Sequence, residues 1–248
     1  MNKSFGILYI LFNLKTNDSG LMYEILNSIK SVKHFHPDIN IIIYVEKHPD
    51  YDKSNIIPDE IKEYVKIITF SNEYKFKNDR NISWMGHKPG TGPIGINRIL
   101  CMIDTPFDYT LHLDCDTIIN KPLNDLIYNY KNDIYLTLDN WWIYKNSKVI
   151  NELEENKHNI NSGVILYKKT EHNIKLFKKV IDLIYNNNIA EQNAITSIFV
   201  INKLYSDNIK YLDNRYYNFR CENKRDLPDT DDVIICHSHG YLIHKYRF

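Results

Sequence analysis

The sequence predicts one α/β domain over residues 1–248, with a mostly parallel central sheet flanked by helices. Three observations lead there. Short apolar runs alternate with amphipathic helical stretches along the whole chain. A length of 248 residues is one that α/β folds reach as a single unit. An apolar share of 43% beside a charged share of 25% is that of an ordinary folded domain and lies outside the disordered range.

The first strand is the apolar run from Phe5, FGILYILF, followed by polar KTNDSG. In the helix that comes next, Leu21, Ile25, Ile29 and Val32 recur at three- and four-residue spacing and form one apolar stripe, with Asp18 or Ser19 able to cap its start. A second strand around Asn40 completes a βα unit that feeds a parallel sheet. A short helix over Pro58 to Tyr64, with Pro in its first turn, leads to a third strand over Val65 to Phe70. Residues 71–95 hold Trp84, Gly86, Gly90, Gly92 and Gly95 among prolines, which predicts a long loop of the lid or binding type.

A helix is expected from Ile96 to Ile103, then a buried strand, TLHL, that points at Asp114. Further on, helices are predicted at Pro122 to Tyr130, His172 to Tyr185 and Glu191 to Leu204. Strands are predicted at Ile134 to Leu138, Gly163 to Tyr167, near Tyr211 and at Val233 to Cys236, with a charged stretch from Tyr144 to Asn159.

Composition narrows the function. Basic and acidic side chains number 31 each, so a nucleic-acid partner, which needs a basic face, loses its support and a small-molecule substrate gains. Cys101, Cys115, Cys221 and Cys236 lie far apart without a C-x-x-C, which points to a reducing, cytoplasmic setting. The run from Phe5 to Leu14 is too short to span a bilayer. Asn (30) and Ile (37) abound while Ala occurs twice, an A+T-rich codon bias shared by low-G+C bacteria, protists and large DNA viruses.

The chemistry centres on Asp114-Cys115-Asp116. Residues i and i+2 on a strand project to one face, so the two carboxylates are expected side by side at the strand's carboxyl end, where open α/β sheets bind ligands. Adjacent anions call for a cation, and a divalent ion there could bridge to a diphosphate. Solvated carboxylates in a turn are the plain alternative.

The stretch LHLDCDTIINKPLNDL resembles the D-x-D region of GT-A nucleotide-sugar glycosyltransferases, most closely glycosyltransferase family 8, the glycogenin and bacterial galactosyltransferase group. Other pieces stand in that family's order: Ser28-Ile29 in the first helix, Arg98, the strand ending LTLDN with Asp139, Asn161-Ser162-Gly163-Val164, Glu191-Gln192-Asn193, and His237-Ser238-His239-Gly240. The resemblance implies a GT-A fold. It implies a metal site of Asp114, Asp116 and His237, and donor contacts from Thr16, Asn17, Arg98, Cys115, Asn161 and Gly240.

An imidazole ligand favours manganese over magnesium, which prefers oxygen alone. A structural His237 is the alternative, and Cys236-His237-x-His239 lacks a fourth ligand for zinc. Two departures stand out. Ile243 replaces the family's phosphate-binding Lys, with Lys245 or His244 as nearby substitutes, and the family's Asp-Gln-Asp is here Glu191-Gln192-Asn193.

The resemblance puts Gln192 beneath the reacting sugar and Asp139 within reach of it, while Glu191 at a helix start could simply complement the dipole. Trp84, Trp141 and Trp142 could stack on an acceptor sugar or fill a core. The expected activity is transfer of a sugar from a nucleotide diphosphate, a UDP-sugar, to a hydroxyl of a glycan, protein or small molecule. Family 8 retains configuration; inversion would need a base, for which Asp139, Glu191 and Asp213 are candidates. Sugar-phosphate nucleotidylyltransferase is weakened by LFNLKTNDSG, which carries no Gly-rich phosphate loop. A decayed binding module is the non-enzymatic alternative. Residues 71–95 and Glu222 to Asp232 are the expected specificity loops.

Overall fold

The structure is a computed structural model that describes residues 4–12, 19–46, 57–70, 92–138, 160–187, 190–201, 208–220 and 232–237. The chain begins with β1 (Phe5–Leu11), α1 (Ser19–Phe35), β2 (Asn40–Glu46), α2 (Asp59–Lys62) and β3 (Lys66–Phe70). Then come α3 (Gly92–Asp104), β4 (Tyr109–Leu113), β5 (Thr117–Ile119), α4 (Asn124–Ile127), β6 (Ile134–Leu138) and β7 (Ile160–Lys168). The last described elements are α5 (Glu171–Asn187), α6 (Glu191–Thr196), β8 (Ile209–Leu212), α7 (Asn214–Tyr217), β9 (Phe219–Arg220) and β10 (Ile235–His237).

Seven strands form the central sheet in the order β3-β2-β1-β4-β7-β6-β8. The pairs β1–β2, β2–β3, β1–β4 and β6–β8 are parallel, while β7 runs against both β4 and β6. The chain leaves β1 toward β2 on one side, and β4 lies on the other. This reversal of strand order opens a crevice at the carboxyl ends of β1 and β4.

Alternation along β1 feeds two cores. Ile7, Tyr9 and Leu11 pack with Ile25, Ile29 and Val32 of α1 on one face. Leu8 packs on the other with Ile96, Ile99 and Met102 of α3 and Leu176, Phe177 and Val180 of α5. Each such side chain contributes roughly 1.5–3 kcal/mol by leaving water.

A second sheet, β5-β10-β9, stands beside the crevice. β10 pairs antiparallel with β5, His237 opposite Thr117, and parallel with β9. The Ile234 N–H donates to Tyr216 O at 2.7 Å and the Asn120 N–H to Ile234 O at 2.8 Å, tying α7 and the residue after β5 to this sheet.

Some boundaries differ from expectation. Residues 92–95 are helical, not loop, because α3 starts at Gly92. Pro93 falls in its first turn, where it leaves no helical bond unmade. Gly95 lets α3 and α6 approach closely: a Cβ there would lie 3.1 Å from Glu191 Cβ of α6. α4 is a single turn instead of the expected nine residues, with Leu126 and Ile127 as its buried contacts. α6 stops at Thr196 and passes into a π-helical turn, Ser197–Ile201, whose Ile198 and Phe199 are buried. The rest of 71–91, the charged stretch 144–159 and the segment 222–231 lie outside the described residues. Among the described residues no helix is long and apolar enough to cross a membrane.

Candidate active site

β4 ends at Leu113, and the Asp114 N–H still donates to Gly163 O of β7 at 2.8 Å. The chain then turns. Thr117 donates to Asp114 O twice, from its backbone at 3.2 Å and its hydroxyl at 2.8 Å. The two carboxylates therefore meet through this turn and not through strand alternation, which corrects the expected cause while leaving the residues together. Behind the turn, Ser28 Oγ lies 2.7 Å from the Tyr9 hydroxyl and 3.1 Å from Thr117 Oγ1. Since the Thr117 hydroxyl donates to Asp114 O, it accepts from Ser28, which accepts from Tyr9. That buried chain ties α1 and β1 to the turn.

Opposite Thr117, β10 delivers His237. Its Nε2 stands 3.0 Å from Asp116 Oδ1 and 3.7 Å from Asp114 Oδ2, and one ligand atom from each of the three residues lies within 4.8 Å of the others. The buried His237 has its other nitrogen, Nδ1, 2.8 Å from Asn218 Oδ1. Gly163 forms the floor. A Cβ on it would fall 2.5 Å from His237 Cε1, 2.6 Å from Asp114 Oδ2 and 2.9 Å from Asn161 Oδ1, so only glycine keeps the space between these groups open. Two carboxylates, an imidazole nitrogen and this cradle fit a divalent cation.

Arg98 of α3 governs the other side. Its Nη2 donates to Asp114 Oδ1 at 2.5 Å and to His112 Nε2 at 2.8 Å, and its Nη1 is 3.4 Å from Glu191 Oε2. His112 Nδ1 meets Leu8 O at 3.2 Å, so that nitrogen carries the proton and Nε2 accepts from the guanidinium. Burial pushes the His112 pKa down, with Arg98 acting in the same sense, and keeps the ring neutral. Burial pushes the Asp114 carboxyl up, but Arg98, His112 and His237 outweigh it and hold the group well below the usual carboxylate range. Asp114 thus divides its oxygens: Oδ1 to Arg98, Oδ2 toward His237.

Glu191 is 3% exposed, and its Oε1 is the one buried side-chain oxygen or nitrogen without a hydrogen-bond partner among the described residues. Burial raises its pKa to about 7, Arg98 opposing and Asp114 reinforcing the shift. An acceptor left without a donor beside a cation is suited to a ligand hydroxyl.

The structure thus brings Asp114, Asp116, His237, Arg98, Glu191 and Asn161 into one neighbourhood. Asn161 Oδ1 also accepts the Gly163 N–H at 2.8 Å. Gln192 follows Glu191 in α6 and is half-buried. Cys115, between the two carboxylates, is partly buried and packs against the apolar core that β1 and α1 share. Asp213 sits at the turn into α7, where its carbonyl accepts the Tyr216 and Tyr217 N–H groups at 3.0 Å. Thr16, Asn17, Asp139, Gly240 and Lys245 lie outside the described residues, as do Trp84, Trp141 and Trp142.

His112 and Asn218 were not anticipated. The first had a signal, an imidazole two residues before Asp114 in a buried strand; the second had none.

The fold is that of the GT-A glycosyltransferases, and the candidate Asp-Asp-His cluster sits at the rim of its sheet. No protein-family model matches the chain, and no curated protein sequence does. Solved structures do. The galactosyltransferase LgtC, in complex with donor and acceptor sugar analogs, aligns with a TM-score of 0.59 at 14% identity over 95% of this chain and 87% of that one. Mouse xyloside xylosyltransferase 1 aligns at 0.62 and 12% identity over 95% and 98%. A glycosyltransferase involved in glycosylation of the major capsid of PBCV-1 aligns at 0.53 and 13% over 94% and 92%. At these identities the likeness is one of fold.

Proposed function

We propose that residues 1–248 form one glycosyltransferase domain that moves a sugar from a nucleotide diphosphate, a UDP-sugar, to a hydroxyl of a glycan, protein or small molecule. The observation that carries this is the convergence of Asp114 and Asp116 with His237, from 121 positions further along the chain, at the crevice beside β4. Bound among these three, a divalent cation, manganese by the donor set, would supply positive charge facing the diphosphate that departs.

The residues of the chain divide the remaining work. Arg98 keeps Asp114 ionised and oriented and presents a second fixed charge beside the donor. Glu191 offers its unpartnered Oε1 to a hydroxyl of the donor sugar, with Gln192 beneath the reacting carbon. Asn161 lines the wall, Asp139 approaches the sugar, Thr16 and Asn17 meet the base, and Gly240 with Lys245 meets the phosphates. Because the leaving group departs as an anion and the sugar becomes cationic, such fixed charges and dipoles lower the barrier most.

A panel of nucleotide sugars with manganese tests the proposal by following release of free nucleotide diphosphate. Release with one donor, abolished in a folded Asp116→Ala variant, is expected. Pyrophosphate release from UTP and a sugar phosphate would instead establish a nucleotidylyltransferase. Donor binding without turnover would establish a binding module.

A further inference from the structure

We infer that Asn218 is a positioning residue that selects the tautomer of His237 and so presents Nε2, as a lone pair, to the space between Asp114 and Asp116. The inference rests on the metal reading above and adds a residue that no motif in the sequence marks.

Asn218 is 3% exposed and stands where α7 gives way to β9. Its own N–H is held by Asn214 O at 3.2 Å. Phe219 and Arg220 pair in parallel register with Cys236 and His237, so the ladder that forms β10 also places Asn218 beside the imidazole. The 2.8 Å contact joins His237 Nδ1 to Asn218 Oδ1. An amide oxygen accepts and cannot donate, so Nδ1 carries the proton. In the neutral ring Nε2 is then the nitrogen without a proton, and it is the one that faces Asp116 Oδ1 at 3.0 Å and Asp114 Oδ2 at 3.7 Å.

Without this acceptor, two carboxylates would draw the proton to Nε2, where it could donate to either of them. A cation would then have to displace a proton before binding. Asn218 removes that competition in advance, and being neutral it does so without adding a third negative charge to the cluster. Outer partners of ligating histidines typically change metal affinity 10–100-fold.

The test begins on metal-free protein. Long-range proton–nitrogen correlation of the His237 ring at alkaline pH is expected to show Nδ1 protonated and Nε2 bare. In Asn218→Leu the proton is expected to move toward Nε2, and manganese affinity, read by titration with paramagnetic detection of free ion, to fall roughly 10–100-fold. Asn218→Asp retains the acceptor and is expected to keep the tautomer.

Wild-type His237 protonated at Nε2, with the amide NH2 facing Nδ1, overturns the inference. So does a folded Asn218→Leu variant that keeps the Nδ1–H form and binds manganese within about twofold of wild type, below the range expected for such partners. If Asn218→Leu does not fold, the wild-type spectrum and Asn218→Asp decide, and a changed tautomer in the latter is fatal. A wild-type protein that holds the Nδ1–H form but binds no manganese upholds the tautomer control and overturns the metal reading, so the two fail separately.

Discussion

Gly163 lies so close to His237 that a Cβ at position 163 would fall 2.5 Å from the imidazole Cε1. The same atom would meet Asp114 Oδ2 at 2.6 Å, so two of the three candidate ligands lean on one absent side chain. Gly163→Ala is expected to force the ligands apart. Manganese affinity should fall at least about tenfold and stability by about 1–3 kcal/mol, the usual cost of overpacking. Urea denaturation and metal titration measure both, and an Ala variant with wild-type affinity would show the cradle to be irrelevant.

Arg98 reaches three partners from two nitrogens, which a lysine ammonium on a thinner stem cannot reproduce. Arg98→Lys is expected to keep the charge but strand His112 or Glu191, at a cost of about 1.5–3 kcal/mol, the range for hydrogen bonds to charged groups. It should also raise the KM for the nucleotide sugar more than the KM for the acceptor. Equal effects on both substrates would contradict its placement on the donor side.

Glu191 gives the site a pH signature. Its folded pKa of about 7 exceeds the ordinary value of 4.5. Below pH 4.5 the group is protonated folded and unfolded, and the burial of the carboxyl carries no charge penalty. As pH rises toward 7 the unfolded chain releases the proton first, so stability declines through that window and levels off above it. Glu191→Gln cannot titrate. Relative to wild type it is expected to gain stability across the same window, by up to about 3 kcal/mol at roughly 1.4 kcal/mol per pKa unit. Denaturation midpoints of both proteins taken at several pH values check this, and a difference independent of pH would refute it.

Removing a ligand should be worse than crowding it. Asp116→Asn and His237→Ala are each expected to lower manganese-dependent turnover at least about 100-fold, beyond the loss typical of an outer partner. Circular dichroism of Asp116→Asn should remain that of wild type, because Asp116 lies in a turn at the crevice. Magnesium should rescue His237→Ala better than manganese does, since the remaining donors are oxygens. Turnover that survives both substitutions would remove these residues from the mechanism.

Much of the site was legible because it sits on local patterns. Asp114 and Asp116 are marked by a short motif after an apolar strand, and Arg98, Glu191 and His237 by their order along a familiar arrangement. Unbroken apolar runs likewise located β1 and β2, and helical spacing of apolar residues located α1 and α5. Less legible were places where a distant partner decides the conformation. Gly92 and Gly95 read as breakers, yet α3 starts at the first and runs through the second, where Glu191 of α6 approaches to 3.1 Å of the position a Cβ would take.

The order of residue types along this chain was enough to specify an α/β sheet with paired acids at a strand end, since strand and helix periods and short motifs are properties of neighbouring residues. Tertiary structure alone decided that β7 runs against β4, that β10 sets His237 opposite Thr117, and that Asn218 holds the imidazole by its far nitrogen. Those outcomes depend on which distant strands pair and in what register. That choice is made by the summed packing of both sheet faces and is written in no single stretch of sequence.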